Sequence, residues 1–354
     1  HFPLPTLVYL CDRCGHLQTP PLDNLAEYYD KAYKIHLESE EADQLYQSKE
    51  DPMFYRSEHQ AMLLADNLNL PQGASLLDYG CGKAPTMRRL AAHRPDLAIH
   101  LFDVSADYQG FWHAFTTPER CATYTPKAEW TGTFDAVTSF YALEHVEDLH
   151  GSLAAIRSLL KPGGLLYAIV PNWPTNVADV IVVDHINHFW TGSYHHVLAR
   201  MGFTVESLDA DAHYGALVVV ARRTEPSEVW PEPAALQAIT QQVRETTAYW
   251  QGVSQRVQAF EADTGAGKQA AIYGSGVYGN FIATCLADWA PVRCFLDQNP
   301  HQQGKTILER PILAPDALPP EVEVVYVGLN PAIAKREMDK VTAWQGRDLR
   351  FFYL

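Results

Sequence analysis

The sequence has no apolar run as long as a membrane-spanning helix, and its first residues lack the pattern of a secretory signal. Basic residues are scarce: 27 lysines and arginines stand against 42 aspartates and glutamates, a formal net charge of −15. Such a chain cannot neutralise phosphates in number, so we expect binding neither to nucleic acid nor to a membrane. The six cysteines are too dispersed for a disulfide framework, and we therefore expect a cytoplasmic protein.

Strands and helices alternate along most of the chain, which predicts an α/β protein with a doubly wound parallel sheet. At 354 residues the chain is too long for one ordinary core. We expect a CxxC module with a tyrosine-rich connector, a first Rossmann-like domain, a linker with a long amphipathic helix, and a smaller second Rossmann-like domain. The predicted bounds are 1–56, 57–225, 226–268 and 269–354.

The stretch DYGCGKA at residues 78–84 has the form of a strand-to-helix turn whose backbone approaches a nucleotide. It is not a dinucleotide turn, because no third glycine follows Gly82 at the required spacing and the preceding acid would repel a pyrophosphate. It suits a cationic ligand without phosphate, such as S-adenosylmethionine. Asp78 is placed to bind the amino-acid end of S-adenosylmethionine. Asp103, at the end of the next strand, is placed to accept hydrogen bonds from both ribose hydroxyls. Gly80 and Gly82 permit close contact with the backbone.

Four segments in sequence resemble the motifs of a class I S-adenosylmethionine-dependent methyltransferase: LLDYGCGKA, FDVS, FDAVTSFYALEHVED and LKPGGLLYAIVPN. The resemblance covers about residues 57–222, with Ala84 where the family commonly has glycine. It implies that residues 57–225 are a methyltransferase domain with S-adenosylmethionine as its cofactor. Tyr141, in the third segment, is expected among the cofactor-binding residues. The alternative is a doubly wound domain that has lost its ligand.

The segment VADVIVVDHINHF places Asp184, His185 and His188 at the predicted mouth of the sheet, where substrates of such folds bind. Histidine can remove a proton near neutral pH, and an adjacent carboxylate can orient it or change its pKa. We predict His185 as the base and His188 as a substrate contact. The alternative is that both are loop residues that fix local structure through hydrogen bonds with the backbone.

The whole chain resembles the three-part family of sugar C-methyltransferases, which act on nucleotide-linked keto-deoxysugars. PLPTLVYLCDRCGHLQ resembles the end of that family's N-terminal zinc module, VVDHINHF its catalytic segment, and HYGAL at 213–217 a later motif that places His213 with the substrate. The resemblance implies enolate chemistry: His185 removes a proton from the carbon beside a ketone, and the enolate attacks the sulfonium methyl group. Asp184 would orient or polarise His185.

Two residues depart from the family's catalytic pattern. Val182 stands where the family has tyrosine, and an aspartate replaces its glutamate. The family uses tyrosines just after its zinc module, so Tyr33 is a candidate near the methyl donor and Tyr29 near the substrate; aromatic packing is the alternative. His145, in LEHVED, ranks second to His185 as the base because this segment normally covers the edge of the cofactor.

Cys11 and Cys14 form the one CxxC of the chain and are candidate metal ligands. A structural zinc needs four ligands, and the family takes the other two cysteines from further upstream. We therefore expect a longer native protein that binds zinc, of which this chain is a part. The alternative is a vestigial knuckle with free thiols.

A second glycine-rich turn, Gly274-Ser-Gly276-Val-Tyr-Gly279, follows a strand and has Asp297 at the end of the next strand. Alone it is a dinucleotide fingerprint, but the domain is short and lacks a second mononucleotide half. In the sugar C-methyltransferase family the corresponding domain helps to hold the nucleotide-sugar, which would give Gly274 and Gly276 contact with the substrate. A purely structural domain is the alternative.

Three functions follow from these patterns. The first is C-methylation of a nucleotide-linked keto-deoxysugar or a related keto substrate. The second is O- or N-methylation of another small molecule, which the altered catalytic segment favours. The third is an NAD-dependent oxidoreductase, or a non-catalytic binding protein, that uses the C-terminal turn. The expected partner is a small molecule, and the protein a monomer or homodimer.

Overall fold

A computed structural model gives the structure of the protein and describes residues 6–23, 41–47, 54–264 and 267–354. The chain divides into two compact units, of which the first holds nearly all residues up to Thr240 and the second residues 241–354. The α/β class predicted from the sequence is confirmed. Within these described ranges, no helix is both long enough and apolar enough to cross a membrane.

The first unit is built from strands and helices that mostly alternate. In chain order they are β1 (Tyr9–Leu10), β2 (Leu17–Gln18), β3 (Leu45–Gln47), β4 (Phe54–Tyr55), α1 (Arg56–Asn67), β5 (Ser75–Tyr79), α2 (Pro85–His93), β6 (Ala98–Asp103), α3 (Gln109–Trp112), β7 (Cys121–Thr123), β8 (Phe134–Phe140), α4 (Leu149–Leu159), β9 (Leu160–Pro171), β10 (Asn187–His188), α5 (Thr191–Arg200), β11 (Phe203–Asp209) and β12 (Ala216–Arg223). The next element, α6 (Pro233–Thr264), runs past the boundary at Thr240.

Seven of these strands form the main sheet in the order β11-β12-β9-β8-β5-β6-β7. The strands from β9 to β7 are parallel, whereas β12 and β11 run antiparallel at one edge. The chain builds outward from β5 through β6 to β7, then returns to the other side of β5 with β8 and β9. The order of the strands therefore reverses beside β5, and α/β folds bind ligands outside the carboxyl ends of the strands at such a point.

Both faces of this sheet are covered by apolar side chains. Leu76 and Leu77 are neighbours in β5 and fully buried, but they belong to separate apolar clusters. Successive side chains of a strand point to opposite faces, so a strand that is buried on both sides has a continuous apolar run. This accounts for the uninterrupted run at residues 165–170 of β9.

A small second sheet joins the N-terminal hairpin to a segment far along the chain. Strand β2 pairs with β1 and, on its other side, with β10, so that Leu17 lies opposite His188. The hairpin turn contains Gly15 with a φ of 70°, where a Cβ would lie 2.9 Å from Ile239 Cγ2 and 3.0 Å from Trp190 Nε1. The CxxC hairpin therefore packs beside the segment predicted to be catalytic.

The second unit contains a six-stranded sheet and short helices. Besides the rest of α6 they are β13 (Gln269–Tyr273), α7 (Val277–Cys285), β14 (Val292–Leu296), β15 (Thr306–Ile307), β16 (Arg310–Leu313), β17 (Val322–Val327), α8 (Ala334–Met338) and β18 (Arg350–Tyr353). The order is β15-β16-β14-β13-β17-β18, and all pairs except β15 with β16 are parallel.

The glycines of the second turn have different physical roles, which a pair of variants can separate. A Cβ on Gly279 would lie 1.9 Å from the backbone oxygen of Gly274, whereas one on Gly276 would meet nothing within 4 Å. Gly279→Ala should therefore lower the free energy of unfolding by about 1–3 kcal/mol or more. Gly276→Ala, the matched control, should stay within about 0.5 kcal/mol of the original chain. Chemical denaturation of both variants tests this, and equal stability would contradict it.

Candidate functional site

The turn after β5 presents bare backbone at the edge of the sheet. Gly80 and Gly82 have φ values of 76° and 51°, in the left-handed region that favours glycine. A Cβ on Gly80 would lie 2.6 Å from the Cβ of Ala142, so no larger residue fits there. No atom outside the immediate chain lies within 4 Å of the Cβ position of Gly82, so another molecule can approach its backbone. Ala84 also has a positive φ, 55°.

Two buried carboxylates flank this turn. The hydroxyl of Thr138 donates to Asp78 Oδ1 over 2.8 Å, and burial, opposed by this hydrogen bond, raises the pKa of Asp78 to about 7. The backbone nitrogens of Gly82 and Ser105 donate to Asp103 over 2.7 and 3.0 Å, and burial raises the pKa of Asp103 as well. Among the described residues, neither carboxylate is paired with a basic side chain.

A second group of polar side chains lies between the end of β8 and β10. Asp179 is fully buried, and its two carboxylate oxygens accept hydrogen bonds from Nδ1 of His185 at 2.6 Å and Nδ1 of His188 at 2.7 Å. Burial raises the pKa of Asp179, but the charges and hydrogen bonds of the two imidazoles outweigh it and hold the pKa well below its ordinary value. Asp179 thereby fixes the orientation of both rings.

The imidazole of His145 lies beside that of His185, edge to face, with 4.7 Å between the ring centroids. Asp184 accepts from His145 Nδ1 through its backbone oxygen at 3.1 Å, and its Oδ2 lies 3.3 Å away. Burial lowers the pKa of His145, but the hydrogen bond to Asp184 and the charge of Glu144 outweigh it and raise the pKa to about 9. His145 therefore carries a positive charge near neutral pH.

Glu144 completes this group. Its side chain is fully buried, and neither of its carboxylate oxygens has a hydrogen-bond partner within the described part of the chain. Burial raises the pKa of Glu144 above its ordinary value. Its backbone oxygen accepts from the nitrogen of Ile186 at 2.7 Å, which ties the turn after β8 to the histidine segment. Glu144, His145 and His185 bring ligand atoms within 4.8 Å of one another.

The structure corrects one detail of the sequence prediction: Asp184 pairs with His145, and the carboxylate that orients His185 is Asp179. His188 is fully buried, with Nδ1 on Asp179 and Nε2 at 2.8 Å from the hydroxyl oxygen of Thr19. Contact between His188 and a substrate stays a prediction. Adjacent residues of a loop point in different directions, so the neighbour in sequence is not the partner in space.

Residues 50–208 match the family model of the methyltransferase domain. They form a class I S-adenosylmethionine-dependent methyltransferase domain. The ubiquinone biosynthesis O-methyltransferase of Xanthomonas oryzae pv. oryzae (strain PXO99A) is 41% identical over 101 residues, which are 27% of this chain and 42% of the relative. That of Xanthomonas campestris pv. campestris (strain B100) is 39% identical over 110 residues, 29% of this chain and 45% of the relative. The chain thus spans less than half the length of these relatives.

Solved methyltransferase structures are also similar to the chain. An S-adenosylmethionine-dependent methyltransferase from Mesorhizobium loti has a TM-score of 0.39 at 17% identity, covering 47% of this chain and 98% of its own. The 1,6-didemethyltoxoflavin-N1-methyltransferase of Burkholderia thailandensis has a TM-score of 0.37 at 18% identity, covering 48% of this chain and 78% of its own.

The residues of the methyltransferase domain at the β5 turn fit S-adenosylmethionine. The backbone of Gly82 is open to approach, and the carboxylates of Asp78 and Asp103 can accept hydrogen bonds from an ammonium group and from ribose hydroxyls. Tyr141 follows β8 with a φ of 51°, and the guanidinium of Arg56 lies 4.5 Å from the centroid of its ring. Tyr29 and Tyr33 lie outside the described residues.

The raised pKa of Asp78 predicts that cofactor binding depends on pH. Only the ionised carboxylate attracts an ammonium group, and its ionised fraction rises as the pH passes through about 7. The affinity for S-adenosylhomocysteine, measured by calorimetry, should therefore be about tenfold higher at pH 8 than at pH 6. Asp78→Asn should bind more weakly and lose most of this slope. A slope that is the same in the variant would contradict the assignment.

The N-terminal hairpin supports the histidine segment of the methyltransferase domain. The Oδ1 atom of Asn187, in β10, accepts a hydrogen bond from Nε2 of Gln18 at 3.2 Å and lies 3.3 Å from Nε2 of His16. The backbone nitrogen of Thr19 donates to Ile186 at 2.9 Å. These contacts place His188 and its neighbours with residues from the start of the chain.

His213 lies in a stack of aromatic rings and not alone in a loop. Its Nδ1 is 2.7 Å from Nδ1 of His59, so that one ring donates to the other, and Tyr46 stacks on both with centroid distances of 4.0 and 4.8 Å. Burial, with the charges of His59 and Arg56, lowers the pKa of His213 to about 3, so this ring is neutral near pH 7. Contact between His213 and a substrate stays a prediction.

Cys11 is exposed and Cys14 buried, and both are free thiols. Burial raises the pKa of Cys14 to about 11. In the ranges that the structure describes, the two cysteines do not belong to any group of three or more potential metal ligands; Glu144, His145 and His185 form the one such group. The zinc module implied by the family resemblance is therefore not supported.

The second glycine turn is held by its own hydrogen bonds. Gly274 has a φ of 97°, and its Cβ position lies 2.4 Å from the backbone oxygen of Gly328. Asp297, which follows the next strand, accepts hydrogen bonds from the backbone nitrogen of Ser275 at 2.9 Å and from its hydroxyl at 2.5 Å. The close backbone contacts are a structural reason for the glycines. Contact of Gly274 and Gly276 with a substrate stays a prediction.

The site contains four residues to which the sequence prediction gives no role: Asp179, Glu144, His59 and Tyr46. A weak signal existed for Asp179, because an acid in the apolar stretch between β9 and β10 is unusual unless it has a partner. Glu144 stands beside His145 in the sequence, but in a segment that is expected to cover the cofactor. For His59 and Tyr46 the sequence contains no signal that links them to His213.

Proposed function

We propose that the chain catalyses methyl transfer from S-adenosylmethionine to an oxygen or carbon atom of a small molecule that loses a proton in the reaction. The observation that supports this proposal is the pair of imidazoles, His145 and His185, each held by a different carboxylate at 2.6–3.3 Å from the ring. Such a pair supplies a proton acceptor and a positive charge at one place.

We assign His185 the role of base. The carboxylate of Asp179 accepts a hydrogen bond from Nδ1–H of His185. This fixes the tautomer in which Nε2 is unprotonated and can take a proton from the acceptor molecule. His145, with its pKa near 9, provides a positive charge that stabilises the anion formed. S-adenosylmethionine, when bound, would supply the methyl group: an electron pair of the acceptor forms the new bond to the methyl carbon, and the electrons of the broken carbon–sulfur bond stay on sulfur.

The first candidate acceptor is a hydroxyl oxygen. The O-methyltransferases named above support it, because they are the curated relatives with about 40% identity over the matched part. A phenolic or enolic hydroxyl loses its proton near neutral pH more readily than an alcohol, which suits an imidazole base.

The second candidate is carbon methylation of a nucleotide-linked keto-deoxysugar. The pairing of β2 with β10 favours it, because a CxxC hairpin that contacts the histidine segment suits the three-part organisation of that family. In this candidate, Cys11 and Cys14 are two of the four ligands of a structural zinc, and the second unit contacts the nucleotide.

Two measurements test the proposal. S-adenosylhomocysteine should raise the unfolding temperature of the chain, whereas NAD should not. Methyl transfer from a ¹³C-methyl donor should then be measured with a panel of phenols and enols and a panel of nucleotide-linked keto-sugars. Carbon NMR separates a methyl group on oxygen from one on carbon.

The outcomes discriminate between the candidates. A methyl signal on oxygen supports the first candidate, and one on carbon the second. Stabilisation by NAD and not by S-adenosylhomocysteine would overturn the proposal in favour of the oxidoreductase.

A further inference from the structure

Among the described residues, no hydrogen-bond partner accounts for the burial of the Glu144 side chain. It lies at 0% exposure, and both of its oxygens lack hydrogen-bond donors among the described residues. An unpaired buried carboxylate is costly, so a positive group normally accompanies one. Within the described ranges, the imidazoles of His145 and His185 have ligand atoms within 4.8 Å of the Glu144 carboxylate.

The three side chains have the composition of a metal site. Two imidazoles and one carboxylate bind divalent first-row ions such as Mn²⁺, Co²⁺ and Zn²⁺. Their ligand atoms lie within 4.8 Å of one another. Metal bonds of about 2.1 Å put neighbouring ligand atoms roughly 3.4 Å apart, so binding would draw the groups together by at most about 1.4 Å.

The surroundings of the two rings are those of metal ligands. A histidine that binds a metal usually donates its other ring nitrogen to a carboxylate or a backbone oxygen. Here Nδ1 of His185 donates to Asp179 and Nδ1 of His145 to Asp184, so that Nε2 of each ring would bind the ion. Three acids, Glu144, Asp179 and Asp184, are all less than a tenth exposed and supply the negative charge that holds a divalent cation.

We propose that Glu144, His145 and His185 bind one divalent transition-metal ion at the mouth of the methyltransferase domain. The inference rests on the proposed function, because the ion would act on the same acceptor. Once the ion is bound, both imidazoles are ligands, and it binds the acceptor's hydroxyl or enol oxygen. Coordination lowers the pKa of that O–H group, its proton goes to water, and the electron pair that remains attacks the methyl carbon.

The first test measures the binding of a metal ion in the absence of cofactor and acceptor. The full chain, stripped with a chelator, is titrated with Co²⁺ and followed by its visible absorption and by calorimetry. The titration uses the Cys11→Ser/Cys14→Ser variant, so that thiolates contribute nothing. We expect one ion for each chain and a spectrum without thiolate bands.

Variants of the same chain locate the ion. Glu144→Gln keeps the shape of the side chain but should weaken Co²⁺ binding by at least about tenfold, and His185→Ala should do the same. Asp184→Asn, which removes the carboxylate beside His145, should weaken Co²⁺ binding by about 10–100-fold. Glu147→Gln removes an exposed acid three residues from Glu144 and should leave the affinity unchanged. Circular dichroism confirms folding, and if Glu144→Gln does not fold, His185→Ala carries the comparison.

The result separates this inference from the proposed function. Absence of Co²⁺ binding, or affinity that is the same in Glu144→Gln and His185→Ala as in the parent, overturns the metal site. Methyl transfer that continues in the chelator would then leave the proposed function intact, with His185 as the base. If the ion binds as expected and no acceptor is methylated, the metal site stands and the proposed function fails.

Discussion

Replacing His185 by alanine should slow methyl transfer by a factor of about 10²–10⁴ while cofactor binding is retained. The ring lies beside His145 and is fixed by Asp179, so its loss removes the group that makes the acceptor nucleophilic, whether as base or as ligand. It is not part of the glycine turn or of the two carboxylates that fit the cofactor. Single-turnover rates and S-adenosylhomocysteine affinity, measured on the same preparation, test both halves of this expectation.

The matched control is His150→Gln, an exposed histidine in α4 that is outside the site. It should retain the rate of the parent chain. If His185→Ala transfers methyl groups at a rate near that of the parent, neither role of His185 stands, and His145 becomes the candidate for the base. If its affinity for S-adenosylhomocysteine falls as much as its rate, the ring acts through the cofactor pocket.

Replacing Asp179 by alanine should cost about 3–5 kcal/mol of unfolding free energy, the largest stability effect expected of an acidic residue here. The carboxylate is fully buried and accepts from two imidazoles at 2.6 and 2.7 Å. Its loss removes the acceptor of the partly buried His185 Nδ1–H and of the fully buried His188 Nδ1–H, and it releases both rings. Because β10 carries His188, the pairing of β2 with β10 should weaken as well.

Denaturant unfolding followed by fluorescence measures this loss, and Asp211→Ala, which removes an exposed aspartate, is the control. Folding lowers the pKa of Asp179, so the ionised carboxylate stabilises the folded state. This contribution to the free energy of unfolding is complete above about pH 3.9, the ordinary pKa of an unfolded aspartate, and it decreases as the pH falls below that value. The parent chain should therefore lose stability on acidification more steeply than Asp179→Asn. Equal stability of Asp179→Ala and Asp211→Ala at pH 7 would contradict this account.

The geometry of the turn after β5 could be predicted because the pattern that specifies it is local. Gly80 and Gly82 lie next to the end of a strand, and the conformational demand of the turn is visible in the residue types. Asp78 and Asp103 end adjacent parallel strands, whose carboxyl ends must meet at one edge of the sheet. No tertiary contact was needed to bring these residues together.

The histidine site could be predicted only in part, because its partners come from irregular segments. Sequence adjacency suggested Asp184 for His185, but the turn at Asp179–Ile181 brings Asp179 to that ring. Nothing local indicates that Thr19 and His188, 169 positions apart, share a hydrogen bond. Long-range contacts of this kind follow from packing, which no periodicity in the sequence encodes.

The strand that the N-terminal hairpin adds beside β10 has a consequence for where the methyltransferase domain can be cut. The family match begins at residue 50, yet the edge of β10 and the ring of His188 are completed by Leu17 and Thr19. A fragment cut at the matched bounds would expose an unpaired strand edge and strip a fully buried imidazole of one partner. The segment that matches the family model is thus smaller than the part of the chain whose contacts complete β10 and the surroundings of His188.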